Sequence, residues 1–122
     1  MLMAVALGGL TGTIARYALT GWLQPAASAF PRGTIVVNVL GAILLGFLMR
    51  YTTGAAVVSP EIRAGLTIGF CGAFTTMSTF GYESVRLVGD GEYGAAALYM
   101  GITLVGSLAG ILAGAAFADR LL

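Results

Sequence analysis

Histidine and lysine are both absent from this 122-residue chain, and Cys71 is its only cysteine. An intrachain disulfide is therefore excluded, and no Cys/His metal cluster can be assembled. Without histidine, none of the serines or threonines has the usual base to activate it as a nucleophile. These gaps argue against an enzyme. Charge is also scarce: 9% of residues are charged, against about 25% in an ordinary soluble domain. What fills the chain instead is apolar, 58% hydrophobic with a mean hydropathy of +0.95. The solvent implied is a bilayer.

Four apolar stretches can be marked, about Leu2–Leu23, Gly33–Tyr51, Ala64–Val88 and Tyr93–Phe117. Each approaches or exceeds the roughly 20 residues that cross about 30 Å of hydrocarbon as a helix. They predict an all-α membrane protein with four transmembrane helices, a single domain over residues 1–122. Ala27-Ser28-Ala29 looks like a signal-peptidase site, but the basic leader is missing and Arg16 interrupts the apolar run, so the first stretch is read as a retained helix. Short connections are expected at Gln24–Arg32, Thr52–Arg63 and the Gly-Asp-Gly turn of Gly89–Glu92. Trp22, Phe30, Tyr51 and Tyr93 fall near the helix ends, where interfacial aromatics accumulate.

The third stretch is the unusual one. Gly69-Phe-Cys-Gly-Ala-Phe-Thr-Thr-Met-Ser-Thr-Phe-Gly81 carries three glycines and four hydroxyl residues at membrane depth. Backbone that breaks there survives only if protein buries it or it lines a polar cavity. Broken helices commonly present carbonyls and amides to an ion. A broken third helix and an ion site are therefore expected here.

The arginines divide evenly. Arg50, Arg63 and Arg120 fall on one side of the membrane, Arg32, Arg86 and a snorkelling Arg16 on the other. The positive-inside rule then assigns no orientation. Either the chain inserts both ways and pairs with an inverted copy, or one arrangement wins through other contributions. Gly8/Gly12 and Gly106/Gly110/Gly114 supply small faces for close helix contact, within one subunit or between two.

Several polar residues need partners. Arg16 either snorkels toward Trp22 or draws anions to a vestibule. Asn38, set among Ile35, Val36, Val37, Val39 and Leu40 with Thr34 one turn earlier, is either interhelical glue or a pore-lining donor. Tyr99, Thr103 and Ser107 recur at i, i+4 and i+8 and lean toward a polar track. Glu83 and Arg86 are spaced to pair along one helix. Phe74, Met77 and Phe80 fit core packing best, although the positive edge of the Phe80 ring could face an anion. Rings of carboxylates that would select cations are missing. The donors that do line up suit a small anion.

Three segments resemble the CrcB/Fluc fluoride-channel family: Gly8-Gly-Leu-Thr-Gly-Thr-Ile-Ala-Arg-Tyr17, Thr34-Ile-Val-Val-Asn-Val-Leu-Gly41 and Gly69-Phe-Cys-Gly-Ala-Phe-Thr-Thr-Met-Ser-Thr-Phe80. The resemblance implies passive fluoride export across the inner (plasma) membrane by an antiparallel, dual-topology homodimer with two pores. It implies a central structural Na⁺ on the main-chain carbonyls of Gly72 and Thr75 in both copies. On the same basis Asn38 is a pore donor, Thr34 lies on the fluoride pathway, Arg16 acts near the vestibule, Tyr99, Thr103 and Ser107 form the polar track, and Glu83 lies near one end of it. Phe80 supplies one ring of the family's phenylalanine pair; the other falls on Met77, which has no ring edge. The partners expected are fluoride, the lipid bilayer and a second copy, with no nucleic acid. A small multidrug-type, proton-coupled exporter is the alternative, although it needs a membrane carboxylate where helix 1 offers Arg16. A non-transporting assembly subunit would leave Asn38 and the break unexplained.

Overall fold

The computed structural model describes residues 1–55 and 58–122, and among them it is helical without a strand. Helix α1 spans Leu2–Leu23 and α2 spans Arg32–Gly54. The third span is a composite. Its first half, α3, covers 60–74 as an α-helical Pro60–Ala64, a π-helical Gly65–Cys71 and a last α-turn at Gly72–Phe74. Its second half, α4, is Met77–Gly89, and α5 is Tyr93–Asp119.

Among the described residues three helices, α1, α2 and α5, are long and apolar enough to cross a membrane unbroken. The third span is not one of them, because Thr75 and Thr76 are extended (φ −89°, ψ 160° and φ −150°, ψ 115°). The expected break is therefore present, near the midpoint of 60–89. The third span begins at Pro60 rather than Ala64, since Ser59 caps it by accepting from the Ile62 N–H and Pro60 suits the first helical position. Helix α2 runs on to Gly54 and α5 to Asp119. The predicted connection Thr52–Arg63 thus shrinks from both ends, and its residues 56–57 lie outside the described residues. The Gly89–Glu92 turn is a Schellman close: Glu92 N–H donates to Leu87 O (2.9 Å), Gly91 N–H to Val88 O (3.1 Å), with Gly91 at φ 76°.

Packing follows the small faces. Gly8 and Gly12 of α1 lie directly on the backbone of Gly65 and Phe70 in α3, where any Cβ would collide. Gly110 and Gly114 of α5 press on Val39 and Ile43 of α2, and Gly46 of α2 presses on Ile111. Both glycine faces are thus used inside the subunit. A buried cluster of Phe80, Leu87, Ala96 and Tyr99 joins α4 to α5, with Phe30 from the first connection edge-on to Tyr99 at 6.1 Å. Phe30 is therefore a packing residue as well as an aromatic near a helix end. Most large apolar side chains of α1 and much of α5 remain exposed, which suits lipid or a second copy.

Candidate functional site

The break costs the chain its helical hydrogen bonds, and specific side chains recover them. In a continuous helix Thr76 N–H would donate to Gly72 O. Here it donates to Asn38 Oδ1 at 2.8 Å, and Asn38 Nδ2 donates back to Thr76 O at 3.1 Å. Asn38 therefore brackets one peptide unit with both ends of its amide. Of its two Nδ2 hydrogens, one is used in this way and the other is without a partner among the described residues. Arg16 reaches across from α1 and donates from Nη1 to Thr75 O at 3.3 Å. Its guanidinium thus points at the break and not to the helix end beside Trp22. Thr76 also caps α4, its Oγ1 accepting from Thr79 N–H at 3.3 Å.

Two cavities flank this knot. The central one, about 290 Å³, is lined by Asn38, Thr75, Thr76, Met77, Phe80, Thr103 and Ser107 together with apolar residues of α2 and α5. No carboxylate belongs to its wall. The second, about 360 Å³, is more polar and lies among Arg16, Thr20, Gln24, Thr34, Thr79 and Glu83. Thr76 lines both.

The structure thus brings Asn38, Met77, Phe80, Thr103 and Ser107 into one wall, and Arg16, Thr34 and Glu83 into another. Tyr99 lines neither. It is fully buried, and its hydroxyl donates to Glu83 Oε2 at 2.6 Å, so the predicted stripe turns inward at its tyrosine end. The expected Glu83–Arg86 pair is not formed. Glu83 accepts from Tyr99, while Arg86 donates from Nη2 to Ala29 O at 2.8 Å and ties down the first connection.

Thr103 is the outlier among the hydroxyls. Thr20, Thr52, Thr67, Thr75 and Ser84 each donate to the carbonyl four residues back, at 2.6–2.9 Å. That is the ordinary way for a helix to silence a hydroxyl. Thr103 Oγ1, in a residue only 4% exposed, is buried with no partner among the described residues. A buried unpaired hydroxyl is uncommon and calls for a ligand or an explanation.

The oxygen set at the break has the character an alkali cation takes. Gly72 O is released from its helical donor by the Asn38–Thr76 pairing, and Gly72 itself is exposed, with open space where a side chain would be. Thr75 O keeps one lone pair beside the one Arg16 uses. Main-chain carbonyls of this kind replace the hydration shell of monovalent cations. One copy offers too few of them to enclose an ion.

Sequence reasoning missed Thr76, which carries the bracketing, the capping and the boundary between the cavities. Its only local signal is that two hydroxyl residues directly precede the polar first turn of α4. Gln24 was missed as well: its Nε2 donates to Ser28 O and Phe30 O at 2.8 and 3.1 Å. No local pattern announces that contact.

Three intact apolar helices and a fourth broken around a polar knot define a multi-pass membrane protein with an internal polar site. The family model described as CrcB-like protein, Camphor Resistance (CrcB), matches residues 3–115, and the chain belongs to the CrcB family. Among its relatives, the fluoride-specific ion channel FluC of Geobacter sulfurreducens is 46% identical over 117 residues, covering 92% of this chain and 94% of that one. The protein of the same name from Methanopyrus kandleri is 45% identical, covering 96% and 88%. That from Chlorobium chlorochromatii is 38% identical, covering 93% and 88%.

Proposed function

We propose that this protein is a fluoride-selective channel that lets the anion leave the cell passively across the plasma membrane, and is not an enzyme. The observation that carries the reading is the buried, unpartnered Thr103 hydroxyl on the wall of the central cavity. The relatives' shared name supports the same reading. Fluoride holds its water strongly, so a path must replace that water with several donors, none gripping too tightly for exit. The charge of Arg16 attracts the anion to the second cavity, where Thr34 adds a hydroxyl. Deeper in, Asn38 keeps one N–H, Thr103 and Ser107 offer hydroxyls, and Phe80 offers a ring edge. Met77 contributes no side-chain donor, because a thioether has none. Tyr99 spends its O–H on Glu83 and so does not itself donate to the anion.

The functional unit in this reading is an antiparallel, dual-topology homodimer. The even split of arginines supports it, as does the apolar surface left uncovered on one copy. Pairing would bring a second set of Gly72 and Thr75 carbonyls to the break. Together these would hold a structural Na⁺, whose positive charge would favour an anion nearby without being transported. The deciding experiment is efflux from liposomes containing the purified protein. Fluoride should escape down its gradient while chloride stays trapped; equal release of the two, or of neither, would overturn the proposal.

A further inference from the structure

The wall of the second, more polar cavity runs outward from Thr76 and Arg16 to Gln24, eight residues or about 12 Å of helix rise beyond Arg16. Gln24 brings an amide to that wall, yet it has no donor left for an ion. Its two Nε2 hydrogens go to Ser28 O at 2.8 Å and Phe30 O at 3.1 Å, while Oε1 accepts from Gly33 N–H at 3.4 Å. Every one of these bonds ends on main chain, in the first connection or at the start of α2.

The bonds fix two parts of the cavity wall. Helix α2 begins without a side-chain cap of its own, and Gly33 is among the first residues, whose N–H groups find no acceptor inside a helix. Gln24 supplies that acceptor from the end of α1. Gly33 lies close against Thr20, where a Cβ would come within 3.1 Å of the Thr20 Cα, and the next residue, Thr34, lines the cavity. The second part is reached through Phe30. With its carbonyl held by Gln24, Phe30 stands edge-on to Tyr99 at 6.1 Å, and the Tyr99 hydroxyl donates to Glu83 on the cavity wall. Arg86, three residues on from Glu83, holds the same connection from the other side by donating to Ala29 O at 2.8 Å. Among the described residues of that wall Glu83 alone bears the anion's own sign of charge. Where its carboxylate is held therefore governs how strongly Arg16 can attract an anion.

We propose that Gln24 is a positioning residue for fluoride entry. By folding the first connection onto α1 and α2 it sets Thr34 and, through Phe30 and Tyr99, Glu83 on the wall of the polar cavity. The proposal rests on the channel reading, and it concerns capture of the ion, not its passage through the central cavity.

Gln24→Met keeps the length of the side chain and removes its three hydrogen bonds. Pro25, Ala26, Ala27 and Ala29 of the first connection are exposed, so water can take up the freed main-chain groups and the fold should hold. The fluoride concentration that gives half-maximal efflux from liposomes should rise about fivefold, with maximal efflux unchanged. A fall in maximal efflux without that shift is the mark of a merely loosened fold and would overturn the proposal. Phe30→Leu should produce a similar shift. Because the two residues act along one route, the double variant should also stay near about fivefold, where independent effects would multiply to about twenty-fivefold. Multiplied effects would sink the route through Phe30. Should Gln24→Met not fold, Phe30→Leu decides: an unmoved half-maximal concentration overturns the proposal.

Amide hydrogen exchange reads the brace without any flux. In Gln24→Met the Gly33 amide should exchange about fivefold faster than in the wild type, while the Thr76 amide, held by Asn38, keeps its rate. Unchanged exchange at Gly33 would overturn the brace. A wild-type protein that released no fluoride would defeat the channel reading instead, and exchange at Gly33 would still judge whether Gln24 holds the start of α2.

Discussion

The seam between α2 and α5 and the break of the third span at Thr75–Thr76, the crossing where side chains of α1 and α2 reach its backbone, both join helices, yet they solve opposite problems. Along the seam Gly46 lies on Ile111 and Gly114 on Ile43. Both helices are continuous, so every main-chain group there is already paired and only shape is needed. Packing of that kind is the main force between helices in lipid, where no hydrophobic effect drives them together. At the crossing, two extended residues leave peptide groups unpaired. Asn38 takes back two of the lost bonds and Arg16 a third. The seam holds the molecule together; the crossing keeps a few donors unspent. Stability and recognition are thereby separated on one small chain.

The sharpest way to break that comparison is to put bulk into the seam. Gly114→Leu would drive its side chain into the Ile43 carbonyl and the Phe47 amide, both backbone and unable to retreat. We expect no monodisperse protein in detergent on size exclusion. Gly101→Ala, on the same helix but with nothing within 4 Å, should fold normally and gain up to about 1 kcal/mol of helix propensity. If both variants behave alike, the seam is not what holds the fold.

Next comes Asn38→Ala. Its loss leaves Thr76 N–H and C=O unpaired at membrane depth, each costing about 1–3 kcal/mol. Thermal unfolding in detergent should therefore begin lower, and fluoride efflux should drop at least about tenfold, the effect of losing one charge-assisted hydrogen bond. Lower stability with undiminished flux would leave Asn38 as a brace and remove it from the path.

The contrast between the two regions also explains what could be read from sequence. Four spans, a break within Gly69–Gly81 and two glycine faces follow from local composition and spacing, because length, helix-breaking residues and small-residue periodicity are local properties. The small face of the seam was legible for that reason, although not that it packs on α2 within the subunit. The crossing was legible only in outline. That Asn38 pairs with Thr76, 38 positions away, or that Arg16 points to Thr75 O and not to the membrane surface, is tertiary information. Periodicity placed Tyr99 in line with Thr103 and Ser107 but could not tell that Glu83 would take its hydroxyl. The same pull defeated the Glu83–Arg86 spacing rule: each side chain found a partner on another element. The π-helical turn at Gly65–Cys71 has no sequence signature beyond its glycines, which let α3 lie against α1.

Thr103→Val sharpens the comparison from the other side. The hydroxyl has no partner to lose, so its removal should leave unfolding unchanged or raise it slightly. Fluoride efflux should nonetheless fall about fivefold or more, since a donor to the anion disappears. A residue of the seam could not show that pattern. Reduced stability with normal flux would mean that Thr103 belongs to packing and that the cavity's chemistry resides elsewhere.

The smallest effect is expected where neither principle operates. Arg50 Nε and Asp119 Oδ1 meet at 2.5 Å where the C-terminal ends of α2 and α5 come together, both side chains about half exposed (49% and 51%). An ion pair so open to solvent gains little, because screening and the entropy of two freely rotating side chains offset most of the attraction. Arg50→Ala should shift stability by less than about 1 kcal/mol and leave fluoride efflux as it was, a result read from the same unfolding and liposome measurements. A large loss would mean that the seam is closed electrostatically from its end, and that its glycines only permit an approach that the ion pair drives. The salt dependence of unfolding separates the two cases: a seam held by shape is indifferent to added salt, whereas one drawn shut by this pair loosens as ionic strength rises.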